Sequence, residues 1–556
     1  MGVGRPSDTP KSRVADGDGV RAAEVVGALS LATDLATGQP LEHGLRTTVL
    51  AVRLGGLVGA SHEDSLAIYW AALLHSAGCT SDGHQAAHLY GDDIAPRAAF
   101  ALVDPGDPAA VMEFLRSHVD GGRSPKARAA MVEEVIPHAL PAARETFAMH
   151  CEVARRFAGW FVLGPATQVA LEHVFERWDG LGFPGQARGD AIPLPMRIVH
   201  VARGISVFLS SGGPGEARAV IRRRSGTAYE PRLAHVAVRH FDDLTAGVDA
   251  PGLWEQVLDA EPGPPLEIAR ERIDAAFAAI AAFTDLKTPW LREHLTGVAD
   301  LAEAACWRAG LTAEEVALVR RAALTHDLGR VAVSKAIWEK PDPLGFGEWE
   351  RVRLHPHFTE RVYAQSGALA PIGRLAGAHH ERLDGSGYDR SSAGDALDRA
   401  CRILAAADCR CAMGEARPYR AALDDADAGD ALSQAAAEGR LDPDAVDSPC
   451  SPRPAMPCAG ARPPRLPAGL TGRELEVLRA LAQDGSNQAD GRRPRDLTQD
   501  RGAAHLREGG RAKPRRRNAL GLRAGPRAHG IGRSSDAVMC NLGTDWRRPV
   551  HRKRSA

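Results

Sequence analysis

The chain has 556 residues, with 69 Lys and Arg against 70 Asp and Glu, for a net charge of −1. That length accommodates two or three domains, and the charge balance excludes a chain that is basic or acidic as a whole. Nine cysteines without paired framework spacing point to reduced thiols rather than a disulfide-stapled secreted fold.

Residues 1–20 open with MGVGRPSDTPKSRVADGDG, a polar stretch without a signal peptide, expected to be disordered. No apolar run approaches the roughly 18 residues that span a bilayer, so the expectation is a cytoplasmic protein with no membrane partner. Residues 21–260 read as a first lobe. Its segment 41–78, LEHGLRTTVLAVRLGGLVGASHEDSLAIYWAALLHSAG, contains His43 and His75, and His150 follows. Cys79, Asp82 and His84 in GCTSDGH have donor chemistry but read as solvated loop residues. The stretch DAEPGPPLE at 259–267 reads as a proline-rich hinge before a second lobe at 265–441.

The second lobe places apolar residues at i, i+3, i+4 and i+7 in HLTGVADLAEAACWRAG, AEEVALVRRAALTHDLG and ALAPIGRLAGAHHERL. Strand-like alternation is scarce and alanine abundant, so the expected fold class is all-α: tandem helical bundles. His294, His326, Asp327, His355, His379, His380 and Asp408 occur along it in order. Imidazole and carboxylate without thiolate suit iron, manganese or zinc in an open hydrolytic site. Seven donors are too many for one ion, which points to two metals sharing a carboxylate and clamping a phosphoryl displacement. Adjacent helical residues diverge by about 100°, so His326 and Asp327 can both ligate only near a helix end or across two metals.

The succession H…HD…H…HH…D, with HHERLDGSGYD and ARPYRAAL, resembles the HD-GYP branch of the HD-domain phosphohydrolases over roughly 285–441. The resemblance implies an all-helical fold with an iron or manganese centre that hydrolyses cyclic dinucleotides, chiefly cyclic di-GMP. Carried over by position, the seven residues above become the metal ligands, with Asp327 as bridge and a metal-activated water as nucleophile. Asp327 and Arg330 are then the catalytic pair, and Arg330, Gly387, Tyr388 and Arg417 the substrate-binding set. Three positions depart from the pattern. Arg330 stands where the family has lysine and keeps the charge in a forked geometry. Asp389 replaces the proline of GYP and puts a negative charge near an anionic ligand. Trp290 stands where trinuclear members carry glutamate, so two divalent ions are expected rather than three.

The first lobe parallels the second in faded form. LEHVFERWDGLGFPGQARGDAIPLPMRIVHVARGISVF at 171–208 matches AGAHHERLDGSGYDR…LDRACRILAAADCRCAM, yet Ser76, Val174, Phe175 and Arg203 replace ligands. Losing the bridging carboxylate and gaining a cation should abolish a dinuclear site. The expected role is therefore packing, dimerisation or regulation, and a homodimer is one outcome.

Residues 442–469 read as a proline-rich linker. LTGRELEVLRALAQDGSNQ at 470–488 is similar to the opening of a LuxR-type helix-turn-helix, with Thr471 and Glu474 spaced as a capping box. Its recognition helix does not follow. Residues 489–556 carry 18 Lys and Arg against 6 Asp and Glu, rich in Gly, Ala and Pro, the composition of a shifted frame in a GC-rich gene. That tail is expected to be disordered, with at most weak, salt-sensitive, nonspecific nucleic-acid binding. Two functions remain: a metal-dependent phosphodiesterase for a cyclic dinucleotide or related phosphoester, and a nucleotide-responsive LuxR-type transcriptional regulator whose HD domain senses.

Overall fold

The computed structural model describes residues 19–119, 124–135, 138–287 and 293–447. The sequence expectations for most of 1–20, for Trp290, and for everything beyond 447, including the helix-turn-helix remnant and the basic tail, lie outside the described residues. What is described is all-α, as the periodicity predicts, apart from one ribbon of two short strands.

Local chemistry sets the helix boundaries. Thr312 caps the helix Ala313–Thr325 by a reciprocal box: its hydroxyl accepts from the Glu315 amide, and the Glu315 carboxylate accepts from the Thr312 amide. Ser61 caps His62–Leu74 through the Asp64 amide, and Asp398 caps Arg399–Met413 through the Cys401 amide. Val316, Val319, Ala322 and Ala323 then put the apolar face of Ala313–Thr325 into the core.

The helices form two halves with matching order. Helices Ala22–Thr37, His43–Val58 and His62–Leu74 lead the first; Arg270–Lys287, His294–Arg308 and Ala313–Thr325 lead the second. A strand precedes the leading helix of each half, and the two strands pair antiparallel, Val20 with Ile268 and Arg21 with Glu267. The hinge sequence therefore ends in a hydrogen-bonded ribbon, and Arg21 adds an ion pair to Glu261 at 2.7 Å. Within the stretch read as a proline-rich linker, Pro443–Asp447 is helical and buries Ala445 and Val446.

Fine details recur between the halves. Glu42 and Glu293 both take positive φ, at 73° and 67°, just before the helices that open with His43 and His294. A Cβ added at Gly78 or at Gly329 would lie 2.0 Å from the carbonyl oxygen of His150 or His355 respectively, so each turn needs glycine.

One apolar core runs through both halves, joined by contacts such as Phe157 to Phe283. The leading helix Ala22–Thr37 is apolar around nearly its whole circumference and is correspondingly buried, packing on both His43–Val58 and His355–Tyr363. Asp93 of the first half locks onto the second. Its carboxylate pairs with Lys287 at 2.9 Å and accepts from the Lys335 amide at 2.7 Å and the Ser334 hydroxyl at 3.2 Å.

Candidate metal centre

Helix Ala313–Thr325 ends one residue before His326, and the chain passes into a 3-10 turn at Leu328–Ala332. That helix end lets the side chains of His326 and Asp327 converge, one of the two arrangements the 100° divergence allows. His294 opens the helix His294–Arg308, His355 opens His355–Tyr363, His379 and His380 follow Ala370–Gly377, and Asp408 lies within Arg399–Met413. Five helices thus aim seven side chains at one point. All are buried except His380, which is partly so.

The geometry divides the set in two. His294, His326 and Asp327 form one group and His355, His379 and His380 another, each with candidate donor atoms within 4.8 Å of one another. Asp327 spans them. Its Oδ2 is 3.7 Å from His294 Nε2 and 3.4 Å from His326 Nε2, while its Oδ1 is 3.3 Å from His355 Nε2 and 3.6 Å from His379 Nε2. Asp408 also reaches both ways, with Oδ1 3.3 Å from His294 Nε2 and Oδ2 3.8 Å from His380 Nδ1.

Backbone carbonyls aim the rings. Nδ1 of His326, His355 and His379 meets the carbonyls of Ala323, Val352 and Ala376 at 2.8, 2.6 and 2.7 Å. That contact keeps the proton on Nδ1 and leaves Nε2 free as a donor towards a cation. Thr359 ties the turn together, donating to the His326 carbonyl and accepting from the Gly329 amide.

Electrostatics agree with a site built for positive charge. Despite burial, Arg330 and His326 hold the Asp327 carboxyl well below the usual carboxylate range, and His294 and His326 do the same for Asp408. Burial would lower His294, but hydrogen bonds to Asp408 and Glu415 raise it to about 9. Burial pushes His379 down to about 4, and His380 is also depressed. His326 Nε2 and Asp327 Oδ2 are buried without a well-directed hydrogen bond. Buried polar atoms ordinarily find partners, and these nitrogen and oxygen donors fit divalent iron, manganese or zinc.

The expected substrate residues sit around this cluster. The Arg330 Nε lies 2.9 Å from Asp327 Oδ1, and its guanidinium stacks 4.7 Å over the Trp338 ring. Arg417 pairs with Glu415 at 2.6 Å, and burial together with the nearby Arg330 charge lowers its pKa. The Tyr388 ring centroid is 4.7 Å from that of His380. Gly387 serves the backbone instead, because a Cβ there would be 2.5 Å from the His380 carbonyl and the Glu381 Cα, so it seats the loop. Asp389 lies 3.7 Å from His357 Nδ1.

The structure also brings in residues the sequence reading missed. Glu415 accepts from His294 Nδ1 at 3.0 Å. Asp285, whose carboxyl burial pushes up to about 8 against the pull of His294, lies close by. Buried Arg382 donates to the His379 carbonyl at 3.1 Å. Only Glu415 carried a usable sign, its place two residues before Arg417.

The first half gathers no comparable donor group among the described residues. His43 Nδ1 meets the Ser206 hydroxyl at 2.9 Å and His75 Nδ1 the Ala72 carbonyl at 2.7 Å. Asp82 is neither solvated nor free to ligate: it pairs with Arg97 and lies 3.1 Å from His150 Nε2. His84 instead faces Glu339 at 3.4 Å.

Residues 279–445 match the HD domain family. The chain is 29% identical over 407 residues to the 3′3′-cGAMP-specific phosphodiesterase 3 of Vibrio cholerae, covering 72% of this chain and 88% of that protein. It is 34% identical over 175 residues to a cyclic di-GMP phosphodiesterase response regulator of Xanthomonas campestris, covering 30% of this chain and 44% of that one. A crystal structure of a cyclic GMP-AMP specific phosphodiesterase of V. cholerae superposes with a TM-score of 0.55 at 24% identity, over 77% of this chain and 97% of that one, and so shares the fold. No described helix is long and apolar enough to cross a membrane. The chain thus carries an HD domain and is homologous to HD-GYP phosphodiesterases of cyclic GMP-AMP and cyclic di-GMP.

Proposed function

We propose that this chain is a metal-dependent phosphodiesterase that opens a cyclic purine dinucleotide, using two divalent ions, iron or manganese. His294, His326 and Asp408 would hold one ion, His355, His379 and His380 the other, with Asp327 bridging. The observation that carries this reading is the division of Asp327, one oxygen towards each histidine group. The ions, when bound, would supply Lewis acidity and an activated water at neutral pH. Arg330 and Arg417 would orient the phosphodiester, and guanidinium suits that role because its fork meets two phosphate oxygens at once. Tyr388 and its loop would shape the mouth of the site. The relatives named above act on cyclic GMP-AMP or cyclic di-GMP, which supports the substrate class.

We read the first half as a degenerate copy of the second. The shared helix order, the paired glutamates at positive φ and the glycines against His150 and His355 support that reading. Residues 21–260 and 265–441 would then be lobes of one duplicated unit, the first with no metal site of its own.

The test is metal content of the purified chain together with turnover of 3′3′-cyclic GMP-AMP and cyclic di-GMP. The expected result is about two ions per chain and hydrolysis of at least one nucleotide, both lost in Asp327→Ala. Full metal content and turnover in that variant would sink the proposal.

A further inference from the structure

The first half contains a cavity of about 120 Å³ that opens to solvent. Its lining is largely apolar with a few convergent charges, the usual makeup of a small-molecule site. Val174, Phe175 and Arg203 line it, the residues that stand in chain order where the second half has His379, His380 and Asp408. Phe183, at the place of Tyr388, also lines it. The cavity therefore occupies the first-half counterpart of the histidine cluster.

Its chemistry is that of an anion site with an aromatic wall. The ring of Phe147 lies 4.6 Å from that of Phe175 and 4.8 Å from that of Phe183. Three guanidiniums border the space, from Arg177, Arg203 and Arg224. Arg177 and Arg224 both pair with Asp104. Arg203 makes no ion pair with any described carboxylate; burial depresses the nearby imidazoles of His43, His75 and His200, and the Arg203 charge adds to that effect. The one carboxylate in the lining, Glu176, gives Oε1 to the amides of Gly185, Gln186 and Ala187, while its Oε2 is buried without a hydrogen-bond partner. A largely buried guanidinium without a carboxylate partner calls for an anion. A fork-shaped donor suits phosphate, and aromatic rings stack on bases whatever their identity.

We propose that this cavity binds a purine nucleotide phosphoester without hydrolysing it, the phosphate on Arg203 and a base against Phe147, Phe175 and Phe183. A guanidinium supplies the positive charge of a metal but generates no nucleophile, so the pocket recognises rather than cuts. The choice of nucleotide rests on the function proposed above, and the ligand could be either the cyclic substrate or its linear product.

Equilibrium dialysis of the full chain in EDTA, which stops metal-dependent turnover, tests the idea. Separate arms contain 3′3′-cyclic GMP-AMP and the corresponding linear dinucleotide. Saturable binding is expected in at least one arm, weakened at least about tenfold by Arg203→Gln and partly restored by Arg203→Lys, as expected for loss of a charge-assisted pair. Phe175→Ala, which leaves the charges in place, should weaken binding severalfold and provides the measurement if Arg203→Gln melts early. Absence of binding in both arms, or equal affinity in wild type and folded Arg203 and Phe175 variants, would overturn the proposal. Turnover measured separately with manganese distinguishes the two ideas, since its absence counts against the enzymatic reading while Arg203-dependent binding would still stand.

Discussion

Glu415 shows how one residue can matter without touching the reacting atoms. It grips His294 Nδ1 at 3.0 Å, which turns Nε2 towards Asp327 and Asp408, and it also holds Arg417. Carboxylates behind ligating histidines typically affect metal affinity by about 10–100-fold. Glu415→Gln is therefore expected to weaken metal binding by about that factor in a chelator competition, while the melting temperature of the metal-free chain stays near wild type. Unchanged affinity would show that His294 is positioned by its helix alone. The clustering of these histidines and carboxylates was legible because HD and HH pairs in fixed order are rare by chance. Glu415, Asp285 and Arg382 were not, because their roles depend on helices separated by many residues meeting in space.

At the scale of elements, the helices announced themselves through their apolar period and caps, and a helix end was one of the two arrangements open to the His326–Asp327 pair. The short ribbon did not. Its two strands pair across 240-odd residues of chain, Val20 with Ile268, and neither is long enough to show alternation. The proline-rich stretch at 259–267 looked like a hinge because its backbone partners lie at the other end of the first half. The loops give an element-level prediction. A methyl group at Gly387 would meet the His380 carbonyl at 2.5 Å, and one at Gly182 would meet the Arg177 amide at 2.5 Å. Gly387→Ala and Gly182→Ala should each cost about 1–3 kcal/mol of stability, the usual range for overpacking. Only Gly387→Ala should also depress turnover sharply, since Tyr388 and His380 move with that loop. Equal loss of turnover in both variants would mean that the two loops serve the site alike.

The whole molecule holds together partly through charges that cross between its halves. Lys287 and Asp93 are almost fully buried, and burial lowers the lysine pKa even with the carboxylate beside it. Removing one partner of such a pair typically costs about 3–5 kcal/mol because the other is left uncompensated. Asp93→Ala should therefore lower the denaturant midpoint strongly, and the double variant Asp93→Leu with Lys287→Met should recover most of the loss. A mild effect of Asp93→Ala would show that water reaches Lys287. A second charge pair makes the first half sensitive to pH. Burial would depress His150, but Asp82 at 3.1 Å raises it to about 9 from an ordinary 6.5. Because the folded value lies above the unfolded one, the imidazolium contributes in full below about pH 6.5 and its contribution fades as pH climbs through 9. A shift of that size corresponds to about 3 kcal/mol, counted once for the coupled pair. Denaturation curves of the metal-free chain should thus lose stability between about pH 6 and about pH 10, and His150→Gln should flatten that dependence. Parallel pH profiles for wild type and His150→Gln would show that Asp82 relies on Arg97 alone, with His150 neutral beside it.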